Sequence, residues 1–426
     1  MAQITPFRAL RYQTENAGKI ETLTCPPYDI ISEEQRKEFL RENPYNVIRL
    51  ELPRGEEPYA QAEKTLDEWL QNGILKQDDQ PAVYIYEEEF SAHGTRMSFR
   101  GFICRVHLEE FSKGIVLPHE ETLSKAKADR FALMQHTFCN FSQIYSLYMD
   151  EERTSASLIA QLSAGKPDVE MTDGEGVTHR LWVAAKCPAV DALCASFAAK
   201  KLYIADGHHR YETALNFRNW CREQGIAAEG DDVDSVMMML VDMADPGLVV
   251  FPTHRLVRGL EHFDAEAVKK GCAEFFDVTE MQNAASMESE LDKLYQQGKK
   301  AFGFYTGGDA WTQLVLKDVA VMEEMLPGKS KALRELDVSV LHTLVLERIM
   351  GIDRENMAQQ INLTYTKIFD EALSSVQEGN AQCSFVLNPT RVSEIRDVAA
   401  AGEKMPQKST YFYPKLITGL VMNRLK

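Results

Sequence analysis

The feature that most constrains this chain is an alternation beginning after Asp150, where SLIAQL, HRLWVA, PAVDALCASFAA, KLYIA and a periodic stretch from about Arg210 to Gly225 follow one another. Apolar positions switch there between period 3.6 and period 2, which predicts a mixed α/β (α+β) protein and argues against an all-β one. VDSVMMMLVDM and LVVF read as buried strands, AFGFYTG and WTQLVLK as a strand pair, and VSVLHTLVLERIM (338–350) as a helix apolar nearly all round. Upstream, EEPYAQAEKTLDEWLQNG (56–73) puts Ala62, Thr65, Leu66, Trp69 and Leu70 on one helical side and stops at Gly73. AVYIYEEEF and MSFRGFICRVHL flank SAHGT as a β-hairpin, and NVIRLEL (46–52) reads as a strand. The candidate linkers are 164–177 and 326–336.

Composition narrows the function classes. With 44% hydrophobic and 26% charged residues the chain is expected to be soluble and globular. No run approaches the roughly 20 apolar residues of a membrane helix, and MAQITPFRALRYQ lacks a signal-peptide core, which points to the cytoplasm. Eight scattered cysteines with no Cys-x-x-Cys pair fit a reducing compartment. A net charge of −17 without a basic cluster repels nucleic acid, so neither nucleic-acid nor membrane partners are expected. Local positive charge can still hold a small anion.

Three stretches carry candidate chemistry. DGHHR (206–210) follows the apolar Leu202–Ala205 and precedes the helical spacing of Tyr211, Ala214, Leu215 and Cys221, so it occupies a strand-to-helix turn. Backbone N–H groups and the helix dipole make such a turn an anion cradle, which Gly207 lets a ligand approach and Arg210 supplies with a planar fork of donors. The plainer alternative is Asp206 as a helix cap with His208 and His209 at the surface. No further ligand array supports zinc, whereas Mg²⁺ bridging a carboxylate and phosphate is easily accommodated. LPHEET (117–122) places Glu120 and Glu121 in the first turn of a helix beyond Pro118, as dipole partners or, with His119, as a general base. MPQKSTYFYPKL (405–416) concentrates Lys408, Ser409, Thr410 and Lys415, which suit a phosphate loop or equally an exposed edge strand. In CPPYDI (25–30), Asp29 caps a helix near Ser32 or takes part in a turn.

PFRAL, PPYD, LPHE, GHHRYETA and KSTYFYPK together resemble a bacterial and archaeal family of uncharacterised proteins. VLPHEETL and YIADGHHRYETAL are similar to the two-part signature of ParB-like free-serine kinases. That resemblance implies a ParB/sulfiredoxin-like core at 116–260, with a large insertion and with additional segments at 1–115 and 261–426, the latter returning KSTYFYPK to the site. It implies Glu120 as base for the serine hydroxyl beside His119, with Asp206, Gly207, His208, His209 and Arg210 holding the transferred phosphate and a Mg²⁺ on Asp206. Lys408, Ser409 and Thr410 are inferred phosphate contacts. The activity implied is phosphoryl transfer between a nucleotide, ADP or ATP, and free L-serine or O-phosphoserine. The alternatives are a phosphoserine phosphatase and, in another class, a nucleotide-binding ParB-like switch or a non-catalytic binding protein. Eighty-six positions separate Glu120 from Asp206, and no P-loop is present. Oligomeric state is not legible.

Overall fold

Val236–Val241, within the strand Ser235–Asp242, is buried at every position, so both faces of that strand are covered. Such a strand reads as a continuous apolar run, and each fully buried Val or Met contributes roughly 1.5–3 kcal/mol. In the computed structural model, which describes residues 2–92, 94–120 and 124–426, the chain divides into two units. The first comprises Met1–Pro118, Thr122–Val249 and Pro414–Lys426, and the second His119–Glu121 and Val250–Tyr413.

The first unit is built on a nine-stranded mixed sheet. Its spatial order is Val116–Leu117, Leu202–Asp206, Ile144–Tyr148, Ser235–Asp242, Thr95–His107, Ala82–Ala92, Thr178–Ala185 and Val169–Thr172, with Ile4–Thr5 added beside Thr95–His107. Val116–Leu117 runs parallel to Leu202–Asp206 and Ile144–Tyr148 parallel to Ser235–Asp242; the other pairs are antiparallel. Gly101 is required by close approach, since a Cβ there would lie 2.2 Å from the Leu240 carbonyl oxygen. The expected hairpin forms as Ala82–Ala92 and Thr95–His107, and the helix Pro58–Gln71 buries Ala62, Thr65, Leu66 and Trp69 as its spacing requires.

The second unit carries a six-stranded antiparallel sheet ordered Phe276–Met281, Trp311–Leu316, Ala301–Tyr305, Cys383–Leu387, His254–Val257 and Leu363–Thr366. Its core includes Val338, Val340, Leu341 and Leu344–Leu346, the apolar stretch expected to be helical. That stretch begins as an α-helix at Asp337–Val340 and widens to a π-helix over Leu341–Glu347.

Several expectations are corrected. Residues 46–52 form a short helix, Ile48–Glu51, in place of a strand. The Asn46 carboxamide donates to the carbonyls of Thr22 and Thr24 and accepts from the Ile48 N–H, so a side chain supplies what a strand partner would have supplied. Residues 164–177 contain the strand Val169–Thr172, closed on Thr178–Ala185 by a turn in which Asp173 accepts from the N–H groups of Glu175 and Val177. Residues 326–336 contain a helical turn, Lys331–Arg334, capped by Ser330. The helix after Pro118 starts at Ser124, so Glu120 is not in its first turn; Glu121 lies outside the described residues. Ser32, not Asp29, caps Glu33–Glu42, through a capping box with Gln35.

One buried titrating group gives a stability expectation. His179 is 1% exposed, with Nε2 3.1 Å from Asp173 Oδ2 and Nδ1 2.7 Å from the Tyr86 hydroxyl, which itself donates to Glu88. Burial alone would lower the His179 pKa, but its bonds and charge interactions with Asp173 and Glu88 outweigh it and raise it from 6.5 to about 9. A raised histidine pKa stabilises fully below the unfolded value and loses that contribution as pH rises through the folded one. Urea unfolding should therefore show on the order of 3 kcal/mol lost between pH 6 and 9.5. His179→Gln should flatten the curve in that window; an equal slope in the variant would remove His179 as the cause.

Candidate functional site

In the first unit DGHHR lies where the sequence puts it, with strand Leu202–Asp206 ending and helix His208–Glu223 beginning on either side of Gly207. Gly207 is the N-cap at φ +94°, a backbone conformation that side-chain-bearing residues rarely adopt. A Cβ on it would also meet Arg210 Nε at 2.9 Å, because the guanidinium folds back over the turn. Arg210 donates from Nη1 to the Gln143 carbonyl, and its Nη2 stands 3.9 Å from Asp206 Oδ1. Asp206 makes no cap. Its Oδ2 accepts instead from Lys415 Nζ at 2.7 Å. Burial would raise the Asp206 pKa, but Lys415, Arg210 and His208 hold it well below the ordinary carboxylate range, so it is ionised at any physiological pH. His208 is buried and His209 partly so, both in the first turn of the helix.

In the second unit His119 and Glu120 meet the stretch around Lys408. Glu120 forms a parallel bridge with Met405, and the Met405 N–H donates to the His119 carbonyl at 2.6 Å. The Lys408 N–H donates to Glu120 Oε1, and His119 Nε2 lies 3.1 Å from Thr410 Oγ1. Lys408 has φ +57°, a left-handed conformation costing a lysine about 1–2 kcal/mol, and is held there at both its peptide groups. Its carbonyl accepts from Arg255 Nη2 at 3.3 Å. Ser409 is buried, with its hydroxyl donating to the Pro406 carbonyl at 2.5 Å, so it closes the turn and does not present itself to a ligand.

Arg255 has no sequence signal, lying in the apolar run HRLV. It is fully buried, donates from Nε and Nη2 to His342 Nε2 at 3.3 and 3.2 Å, and stacks over the Tyr365 ring. Burial lowers its pKa to about 10, still charged at neutral pH. His342 is driven well below its ordinary value by burial and by Arg255. As Nε2 accepts from arginine, the neutral ring carries its proton on Nδ1.

Lys408 and Thr410 contact Glu120 and His119 in one unit, and Lys415 pairs with Asp206 in the other. This arrangement does not suit the expected Mg²⁺ on Asp206. Lys415 already provides the cation there, and no group of three or more His, Cys, Asp or Glu side chains among the described residues is arranged to hold a metal.

Fold and site define a mixed α/β protein with a charged, glycine-started helix N-terminus and a separate His–Glu turn. The chain belongs to the family described as "Protein of unknown function (DUF1015)", whose model matches residues 4–339. The match ends before Lys408. No curated protein matches the chain. Among solved structures it is similar to a mutant free serine kinase in complex with AMP, with 12% identity and a TM-score of 0.38 over 75% of this chain and 90% of that one. It is similar also to a conserved hypothetical protein from Pyrococcus furiosus, with 16% identity and a TM-score of 0.37 over 74% and 94%. A third is SbnI with C-terminal truncation from Staphylococcus aureus, with 10% identity and a TM-score of 0.36 over 75% and 86%. Among the described residues no helix is long and apolar enough to cross a membrane.

Proposed function

We propose that the protein transfers a phosphoryl group between a nucleotide, ADP or ATP, and free L-serine or O-phosphoserine, on a ParB-like core. The observation that carries this reading is the glycine-started helix at Gly207, where Lys415 and Arg210 stand beside the Asp206 carboxylate. Phosphoryl transfer asks for positioning and for neutralisation of charge more than for covalent chemistry. The helix start at Gly207, with Arg210 and Lys415, supplies fixed positive potential for the phosphoryl oxygens. Asp206, held ionised, is a poor proton shuttle and serves to position Lys415 and Arg210. Glu120 is the base for the serine hydroxyl, and His119 fixes the turn that presents it.

The test is ³¹P NMR of the full-length protein with O-phosphoserine, with and without ADP or AMP. Loss of the phosphoserine signal only when nucleotide is present, with a new nucleotide phosphate signal, is the expected result. Free phosphate released without nucleotide would make water the acceptor and the protein a phosphatase, and an unchanged spectrum under all conditions would sink the reading. Arg210→Ala is expected to weaken O-phosphoserine binding by roughly 10- to 100-fold, the value of a charge-assisted hydrogen bond. Calorimetry giving equal affinity for a variant of unchanged melting temperature would remove Arg210 as a phosphate contact.

A further inference from the structure

The second unit contains a solvent-connected cavity lined by both apolar and charged side chains. Leu326, Leu333, Met357 and Ala358 give it an apolar wall, and Met405–Gln407 form another part of its lining. Lys329, Arg354 and Lys404 face it against a single acidic lining residue, Glu347, so the lining is cationic in a chain of net charge −17. Among the described residues two of these cations are held by loose ion pairs, Arg354 Nε to Glu347 Oε1 at 3.4 Å and Lys329 Nζ to Glu403 Oε1 at 3.8 Å. Such exposed pairs are worth little and can yield to a ligand.

Two polar groups complete the lining. Ser339 is 2% exposed, and its hydroxyl has no hydrogen-bond partner among the described residues. A buried hydroxyl left unpaired is destabilising, and a ligand acceptor would relieve it. His342, with Nε2 occupied by Arg255, offers Nδ1–H as its remaining donor. Donors, cations and aliphatic side chains lining one cavity match an amphipathic anion.

We propose that this cavity binds a small organic anion, with its phosphate or carboxylate head toward Lys404, Ser339 and His342 and its apolar body against Leu326, Leu333 and Met357. The site is distinct from the residues given roles in phosphoryl transfer and does not depend on that activity. Its Met405–Gln407 wall runs directly into Lys408, and Arg255 joins His342 to the Lys408 carbonyl.

The experiment is calorimetric titration of the full-length protein with phenyl phosphate, phenylacetate, inorganic phosphate and benzyl alcohol. At least one aryl anion is expected to bind saturably, with inorganic phosphate and the neutral alcohol at least tenfold weaker; the preferred anion identifies the head group. Lys404→Glu, which changes a partly exposed side chain, and Ala358→Trp, which fills the cavity, should each weaken binding at least tenfold at unchanged melting temperature. Arg210→Ala should leave binding within twofold. No binding of either aryl anion, or equal binding by both cavity variants, overturns the proposal. Binding lost in Arg210→Ala and kept in Lys404→Glu would place the anion at the Gly207 helix start and overturns it equally.

Discussion

Glu120→Gln is expected to lower turnover by about 10²- to 10⁴-fold while leaving ligand affinity nearly unchanged, the usual contribution of a positioned general base. Glutamine is isosteric and keeps a carbonyl oxygen where Glu120 Oε1 accepts from the Lys408 N–H, so the strained Lys408 turn should survive. What is removed is the capacity to accept the substrate proton. The effect should therefore fall on kcat. Rapid-quench turnover together with calorimetric Kd values separates the two quantities. A variant of full activity would take Glu120 out of the chemistry, and one that loses binding in proportion to rate would make it a ligand contact.

Arg130→Leu is expected to cost about 3–5 kcal/mol of stability, the penalty for leaving one member of a buried charge pair alone. Arg130 and Glu51 are each less than 5% exposed, and Arg130 Nη1 donates to the Glu51 carbonyl at 2.7 Å and stands 3.6 Å from its Oε1. Burial raises the Glu51 pKa while Arg130 opposes the rise, so loss of the arginine leaves an uncompensated carboxylate with Ser142 as its hydrogen-bond donor. The guanidinium also lies 4.0 Å from the ring centroid of Tyr28, which gives the PPYD segment a packing role the sequence did not reveal. Urea unfolding measures the loss. The double variant Glu51→Leu/Arg130→Leu should recover a large part of it, because the stranded charge goes too. A single variant costing under 1 kcal/mol would show that Asp129, which also accepts from Arg130, balances the guanidinium alone.

The sequence carried most of the elements, because hydrophobic period reports burial directly: KLYIA, the hairpin about SAHGT and the Pro58–Gln71 helix all fall where their patterns place them. It misread NVIRLEL because β-branched and leucine residues alternate there by composition, while the decisive bonds come from one asparagine reaching back to Thr22 and Thr24. The turn at Gly207 was legible as strand, glycine and helix in succession. The partners of its charges were not. Lys415 lies 209 positions from Asp206, and Arg255 lies 153 from Lys408 in an ordinary apolar strand. Local pattern says nothing of such distances.

The division of the first unit into separate stretches of chain sets an order in time. Its last stretch, Pro414–Lys426, pairs Asn423 with Asn140 and exchanges backbone bonds with Leu10 and Cys25, yet is made only after the whole of 250–413. At roughly 5–20 residues per second of synthesis, the first unit waits on the order of ten seconds or more for that segment. Asp206 waits as long for Lys415, so the nascent unit carries a carboxylate with Arg210 and His208 beside it but without the lysine that bonds it. Completion of the second unit's stretch of chain is thus a timing gate on the first, and the Gly207 turn is among the last parts of the molecule to reach its final charge.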